Sequence, residues 1–152
     1  RRAYDPLSDH KDARLQRLVH ASAVMCSRQK IGFTDFSDEE RRVLPPVPQT
    51  LVRRHAGSGR MGLYLASHAG RIFGMAEEES KPLLQELIEH ATQRQFVYSH
   101  RWRLHDLVMW DNRCTMHRGR GYDDLRWPRD MRRVTVCDIA NTCEQAGVTV
   151  AA

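Results

Sequence analysis

Two short runs rich in β-forming residues lie close together in the first half of the sequence, at residues 50–55 and 61–66. The five residues between them, Ala-Gly-Ser-Gly-Arg, are typical of a loop that joins the two strands of a hairpin. Consecutive strands joined this closely are expected to pair antiparallel. The hairpin therefore argues against an alternating βαβ plan and favours an antiparallel fold.

The hairpin loop also contains a literal G-x-G-x-x-G pattern at residues 57–62. A dinucleotide-binding fingerprint of this form needs a following helix, whose N-terminus faces the pyrophosphate. Here Leu63, Tyr64 and Leu65 continue a strand. The glycines therefore predict a turn and not a nucleotide site.

Three segments have helical patterns. Residues 8–26 place apolar side chains at three- and four-residue spacing, and residues 37–40, Ser-Asp-Glu-Glu, have the form of a capping box that opens a short helix to about Leu44. The prolines at 45, 46 and 48 end that helix. The clearest helix covers residues 80–93, where Pro82 is expected in the first turn and one face is apolar: Leu83, Leu84, Leu87, Ile88 and Ala91.

Strands are predicted again after this helix, at residues 96–103, 107–110 and 131–139. The order along the chain is thus strands, a helix and then more strands. This order predicts a mainly β fold with flanking helices on the outside of an all-β core.

Composition excludes some classes of protein. No apolar run approaches the roughly 20 residues that span a bilayer, so no membrane association is expected. The four cysteines show no C-x-x-C pair and the start does not resemble a signal peptide, which predicts reduced thiols and a cytoplasmic location. The first residues, Arg-Arg-Ala-Tyr-Asp without an initiator methionine, suggest a fragment or a trimmed product.

The net charge of +5 comes almost entirely from arginine, because only three of the 24 basic residues are lysines. The planar guanidinium fork suits carboxylate and phosphate ligands, so small anionic substrates are one interpretation. The other is a non-catalytic, Arg-rich β-domain that binds an acidic partner or nucleic acid. The basic residues are scattered along the chain, which weakens the case for nucleic acid.

Candidate metal and anion ligands fall in two places. His10 and Asp12 form a literal H-x-D, but they lie at the start of a predicted helix, where side chains two apart point in different directions. His117 closes a strand-like segment and leads into a loop rich in Gly and Arg, where a lone histidine is more often a structural side chain than a metal ligand. Downstream, Arg129 and Arg133 are four residues apart, so on a strand they share one face. They can form a pocket for carboxylates if that face points inward, and the alternative is a face in contact with solvent.

Several stretches together resemble the C-terminal half of the TauD/TfdA family of Fe(II)- and α-ketoglutarate-dependent dioxygenases. They lie at residues 32–36, 51–55, 63–72, 96–103 and 110–119, and the resemblance runs to about residue 138. The most specific is W-D-N-R-C-T-M-H-R-G at 110–119, followed by an arginine twelve residues after the histidine. The S-H-A-G stretch that contains His68 is closer to the phenoxyacetate-type members than to the taurine-type ones.

The resemblance implies a double-stranded β-helix, or jelly roll, with iron at one mouth. It implies that His117 is the distal histidine ligand of Fe(II), that Arg129 pairs with the far carboxylate of α-ketoglutarate, and that Arg133 anchors a carboxylate or sulfonate substrate. His68 would line the substrate pocket. The implied reaction uses α-ketoglutarate as co-substrate and O2, and hydroxylates a small anionic organic molecule. Dimers and tetramers are common in the family, so a homo-oligomer is one implied state.

The sequence departs from the family in one respect. The family's H-x-D pair lies upstream of the stretch that residues 2–5 resemble, and His10 and Asp12 fall downstream of the expected place. The chain is therefore expected to be a fragment with a partial jelly roll whose N-terminal strands are missing, inactive alone. Residues 1–138 are interpreted as the C-terminal portion of the dioxygenase domain and residues 139–152 as a tail.

Overall fold

A computed structural model describes residues 3–7 and 13–150. Its strands are β1 (Val19–Ser22), β2 (Val47–Thr50), β3 (Val52–Arg54), β4 (Met61–Leu63) and β5 (Ala69–Ile72). Its helices are α1 (Val24–Gln29), α2 (Asp38–Val43), α3 (Glu77–Ala91) and α4 (Thr142–Ala146), with a 3₁₀ turn at Arg94–Phe96. The structure is thus built from short antiparallel strands with helices around them.

The central sheet has three strands in the order β2-β1-β5. Both pairings of β1 are antiparallel, with Val19 opposite Thr50 on one side and His20 opposite Ile72 on the other. The prediction of one continuous helix over residues 8–26 is therefore wrong, because residues 19–22 form a strand between helical residues 13–15 and 24–26. Before the strand, residues 13–15 are helical among the described residues of that segment. The hydrogen bonds that β1 makes with neighbouring strands on both edges outweigh the helical spacing of its apolar residues.

The predicted hairpin is confirmed. Strands β3 and β4 pair antiparallel, with Val52 opposite Leu63 and Arg54 opposite Met61. The backbone N–H of His55 donates to the carbonyl of Arg60 at 2.8 Å and closes the loop. Gly59 lies at φ +66°, a left-handed conformation that side chains with a Cβ rarely adopt. The G-x-G-x-x-G pattern is thus a turn, as predicted.

The capping box is also confirmed. The Ser37 hydroxyl accepts from the backbone N–H of Glu40 at 3.2 Å, and the Glu40 carboxylate accepts from the N–H of Ser37 at 2.9 Å. These two bonds satisfy donors that the first turn of α2 otherwise leaves unpaired. The helix ends before the prolines, as expected, and Pro48 lies within the edge strand β2.

Helix α3 covers the sheet, as predicted, and packs against β5. It begins three residues before the expected start, so Pro82 lies in the second turn instead of the first. Leu84 and Leu87 are buried, and Leu83 and Ile88 pack against the same core from its edge. The Ser80 hydroxyl is also buried and accepts the backbone N–H of Ile72 at 3.3 Å, which ties the helix to β5. The core itself lies between α3 and the two sheets and contains Leu15, Leu51, Val52, Leu65 and Ile72.

Residues 98–137, here called the C-terminal arm, contain no strand or helix. The strands predicted at 96–103, 107–110 and 131–139 are therefore wrong for this structure. A strand needs a hydrogen-bonded neighbour, and within the described residues none pairs with these segments. Large apolar side chains of the arm face solvent: Tyr98, Leu104, Leu107, Met109, Leu125, Val134 and Val136.

Helix α4 returns the chain to the central sheet, where it packs on β2. The Asn141 side chain caps it by accepting the N–H of Glu144 at 3.0 Å, and Gly147 ends it at φ +65°. Thr142 and Cys143 are buried against the sheet. Within the described residues no helix combines the length and the apolar character needed to cross a membrane.

Candidate functional site

His117 lies in the C-terminal arm and is exposed. Its imidazole packs against the indole of Trp110, with 4.9 Å between the ring centroids and an angle of 51° between the planes. The indole N–H in turn donates to the side-chain oxygen of Asn112 at 2.8 Å. The ring of His117 therefore rests on a tryptophan that is itself held by a neighbouring amide.

Asp111 organises the turn between these two rings. Its backbone carbonyl accepts from the N–H of Thr115 at 3.1 Å and from the Thr115 hydroxyl at 2.7 Å. Its carboxylate accepts from the backbone N–H of Arg113 at 2.8 Å and from the guanidinium, through Nε at 2.9 Å and Nη2 at 2.7 Å. One residue thus fixes both the backbone and the side chains of residues 111–115.

The same carboxylate reaches the hairpin. His55 Nε2 lies 3.0 Å from Asp111 Oδ2, and His55 Nδ1 lies 2.9 Å from the Ser58 hydroxyl. Since an ionised carboxylate only accepts, the proton of this bond belongs to Nε2. The Arg113 guanidinium, followed by the hydrogen bond from His55, holds the pKa of Asp111 well below its usual range.

His68 lies just before β5 and is partly buried. Its Nδ1 is 2.9 Å from the Ser27 hydroxyl of α1, and Lys30, the residue after that helix, donates to the carbonyl of Ser67 at 2.9 Å. Burial, followed by the charge of Lys30, lowers the pKa of His68, which favours the neutral imidazole.

The two arginines predicted to bind carboxylates are exposed and lie outside any strand. The Arg129 guanidinium stands 5.8 Å from the centre of the Tyr122 ring. Within the part of the chain that is described, no hydrogen bond or ion pair joins Arg129 or Arg133 to His117. That these three residues share one pocket stays a prediction.

The described residues contain one group of three potential metal ligands, formed by His55, Asp111 and Cys114, whose ligand atoms lie within 4.8 Å of one another. The Arg113 guanidinium already pairs with both oxygens of that carboxylate, which places a positive charge where a cation would bind. His117 does not belong to this group, and His10 and Asp12 lie outside the described ranges. The described residues alone therefore do not fit a three-ligand iron site.

Sequence reasoning missed the contact between His55 and Asp111. The sequence placed His55 at the end of one predicted strand and Asp111 directly after another, but the two are 56 residues apart. No local pattern connects them, because the contact depends on how the arm lies against the hairpin.

Comparison with known proteins identifies the family. The sequence profile described as taurine catabolism dioxygenase TauD, TfdA family, matches residues 1–135. The chain belongs to this family. The expected resemblance is thereby confirmed.

Among relatives, the chain is 49% identical over 140 residues to the α-ketoglutarate-dependent 2,4-dichlorophenoxyacetate dioxygenase of Cupriavidus pinatubonensis, covering 92% of this chain and 48% of that protein. It is 37% identical over 129 residues to the (S)-phenoxypropionate/α-ketoglutarate-dioxygenase of Sphingobium herbicidovorans, covering 81% and 45%. The chain thus spans about half the length of the family members it matches.

A solved structure, AAD-2 in complex with Mn(II) and N-oxalylglycine, superimposes with a TM-score of 0.88 at 52% identity, covering 93% of this chain and 56% of that one. A taurine dioxygenase from Burkholderia xenovorans gives a TM-score of 0.59 at 28% identity, covering 74% and 35%. The fold of this chain is therefore similar to part of the fold of these family members, and the likeness is greater to AAD-2 than to this taurine dioxygenase.

Proposed function

We propose that the chain is the C-terminal half of an Fe(II)- and α-ketoglutarate-dependent dioxygenase that uses O2 to hydroxylate a small anionic substrate. The observation that carries this proposal is 49% identity to a 2,4-dichlorophenoxyacetate dioxygenase across 92% of the chain. The specific W-D-N-R-C-T-M-H-R-G segment lies within that matched part of the family.

Within this proposal each residue has one role. His117 supplies one neutral imidazole nitrogen, a donor that suits Fe(II). Arg129 pairs with the far carboxylate of α-ketoglutarate through its guanidinium fork, and Arg133 binds the anionic group of the substrate. His68, neutral and partly buried, contributes to the wall of the substrate pocket. When bound, iron with α-ketoglutarate and O2 would supply the oxidising chemistry, and these side chains would bind and orient.

The site needs ligands that the described residues do not provide. We infer that an H-x-D pair on another segment of the polypeptide completes it, and that the fold is a partial jelly roll whose remaining strands also lie there. Two observations support this. The chain spans about half of its relatives' length, and the C-terminal arm exposes apolar side chains such as Leu107 and Leu125, 95% and 99% exposed, that a finished core would cover.

The substrate class follows from charge and from the relatives. Arg133 favours a carboxylate or sulfonate, and the relatives include a 2,4-dichlorophenoxyacetate dioxygenase and an (S)-phenoxypropionate dioxygenase. We propose an aryloxy or similar carboxylate in preference to taurine. The cytoplasmic location, a homo-oligomeric state, and the division of the chain at residue 138 stay predictions.

The alternative, an Arg-rich domain that binds an acidic partner or nucleic acid, gains little support from the geometry. Arg53, Arg60 and Arg113 form ion pairs with Asp138, Asp5 and Asp111. Arginines used inside the molecule in this way are less available to an external polyanion. The family relationship favours the enzyme.

The test is a chimera in which the N-terminal half of the Cupriavidus pinatubonensis relative precedes this chain. Under anaerobic conditions with Fe(II) and α-ketoglutarate, we expect a metal-to-ligand charge-transfer band from the chimera and none from the chain alone. With O2 and 2,4-dichlorophenoxyacetate, we expect α-ketoglutarate turnover.

Matched variants assign the roles. His117→Ala is expected to abolish the charge-transfer band. Arg129→Ala is expected to weaken α-ketoglutarate binding, and Arg133→Ala to raise KM for the aryloxy acid. Arg132→Ala serves as a neighbouring control. A folded chimera with neither band nor turnover would reject the proposal. Salt-dependent binding of DNA that neither Arg129→Ala nor Arg133→Ala changes would support the alternative.

A further inference from the structure

We propose that Asp111 and His55 are positioning residues that hold the imidazole of His117 in place by fastening the C-terminal arm to the hairpin. The proposal concerns the placement of His117. It rests on the proposed function in one respect only: the placement matters for activity because His117 is the proposed metal ligand. Neither residue is proposed to touch substrate or iron.

The first observation is that the arm has few connections to the packed part of the molecule. Within the described residues, the bond between Asp111 and His55 is the one hydrogen bond that joins residues 98–137 to the rest of the chain. The other hydrogen bonds of the arm, such as those of His100 with Asp106 and Arg120 with Ser99, stay inside it. This bond is therefore the hydrogen-bonded link between the hairpin and the part of the arm that carries His117.

The second observation is that His55 is a fixed anchor. It follows β3 directly, and its carbonyl accepts from the N–H of Gly59 at 2.8 Å and of Ser58 at 3.2 Å. Its ring is held by the Ser58 hydroxyl, and its side chain is only 18% exposed. A group bound to His55 is thus bound to the hairpin, whose first residue, Val52, lies in the core.

The third observation is the path from Asp111 to His117. The carbonyl of Asp111 closes the turn with Thr115, so the chain folds back between residues 110 and 117. This brings the rings of Trp110 and His117 to a centroid distance of 4.9 Å. The bonds to His55 and Arg113 use the Asp111 carboxylate, whereas the bonds to Thr115 use the backbone carbonyl. Releasing the carboxylate would therefore loosen the support of the turn and make the contact between the two rings less populated.

The cluster could also be read as a cation site because Cys114 lies beside it. The geometry favours positioning, since Arg113 donates two guanidinium N–H groups to the carboxylate and His55 donates a third bond. A charge-assisted, bidentate pair of this kind is strong and specific in direction. Binding a cation there would require this pair to break.

The test uses the full 152-residue chain with isotope-labelled histidine and NMR. The indole ring current shifts the ring protons of His117, and Trp110→Leu assigns that shift by removing it. We expect Asp111→Asn and His55→Ala to move the His117 resonances toward those of the Trp110→Leu chain. We expect His55→Gln, which keeps a donor for Asp111, to preserve the shift at least in part. Methyl resonances of Ile72 and Leu87 report whether the core remains folded.

The outcomes separate clearly. Loss of the His117 shift with unchanged core methyl resonances supports positioning, whereas an unchanged His117 shift in both Asp111→Asn and His55→Ala overturns it. If Asp111→Asn also changes the core methyl resonances, the His117 shift in His55→Ala is the result that tests the proposal. A thiolate-to-cobalt charge-transfer band on titration with Co(II), lost in Cys114→Ser, would replace the proposal with a metal site. Because none of these readouts is catalytic, failure of the chimera to turn over α-ketoglutarate is a separate result.

Discussion

Gly70 lies against Cys26 so closely that a Cβ on Gly70 would stand 2.6 Å from the Cys26 sulfur. This contact joins β5 to α1, and no side chain fits there without movement. We expect Gly70→Ala to lower the free energy of unfolding by about 1–3 kcal/mol through overpacking. Urea denaturation of both chains measures this difference in the free energy of unfolding.

Two controls isolate the cause of that loss. Gly119→Ala, where nothing lies within 4 Å of the added Cβ, is expected to change stability by less than about 0.5 kcal/mol. Adding Gly70→Ala to a Cys26→Ala chain should cost less than adding it to the original chain. Equal costs in the two backgrounds would show that the sulfur is not the obstacle.

Leu87 marks the centre of the contact between α3 and the sheets, because its side chain is completely buried. We expect Leu87→Ala to destabilise the chain by about 2–5 kcal/mol, through lost burial and the cavity left behind. Leu125→Ala is the matched control, since Leu125 is 99% exposed, and it should have little effect. Thermal and urea unfolding of both variants give the comparison.

His20 makes stability depend on pH. It is buried in β1, where Nε2 lies 3.1 Å from the carbonyl of Tyr64, and Nδ1 has no hydrogen-bond partner among the described residues. Burial lowers the pKa of His20 below 6.5, so the unfolded state binds more protons in the window between the folded pKa and about 6.5. Stability is therefore complete above that window and falls as the pH drops through it.

The measurement is the free energy of unfolding at pH 7.5 and at pH 5.5. The His20→Gln chain should lose less stability between these two values than the unchanged chain. His68→Gln is a useful comparison, because burial also lowers the pKa of the less buried His68 and its effect has the same sign. An identical fall in the His20→Gln chain would contradict the assignment.

Thr142 fastens α4 to the central sheet. Its hydroxyl accepts the buried backbone N–H of Thr50 at 2.6 Å and donates to the side-chain oxygen of Gln49 at 2.6 Å. Thr142→Val leaves that N–H unpaired, which is expected to cost about 1–3 kcal/mol. Amide exchange at Thr50 should accelerate in Thr142→Val and stay slow in Thr142→Ser, which keeps the hydroxyl.

The parts of the fold that were predicted correctly depend on neighbouring residues. The capping box needs only Ser37 and Glu40, and the hairpin needs only its two short strands and the glycines between them. The prediction was wrong at residues 19–22 because that strand is stabilised by pairing with residues 47–50 and 69–72. Local sequence spacing does not reveal these distant partners. The strands predicted in the C-terminal arm were wrong for the opposite reason. The sequence there has strand-forming residues, but within the described residues no strand pairs with them.

The candidate site likewise has a part that could be predicted from local sequence and a part that could not. The sequence identified His117 and the segment around it, and the family relationship gives that segment its significance. The support beneath it could not be predicted, because the ring contact with Trp110 and the bond from Asp111 to His55 arise only when the chain folds back on itself.

The bond between Thr50 and Thr142 joins residues that are 92 apart in sequence. Closing a flexible loop of that length costs about 4 kcal/mol of chain entropy by the logarithmic scaling, before any contact compensates for it. The hairpin and the contact of β5 with α3 close much shorter loops. Docking of α4 is therefore expected to be a late kinetic step, one that follows formation of the sheet and mainly sets how fast the C-terminus detaches.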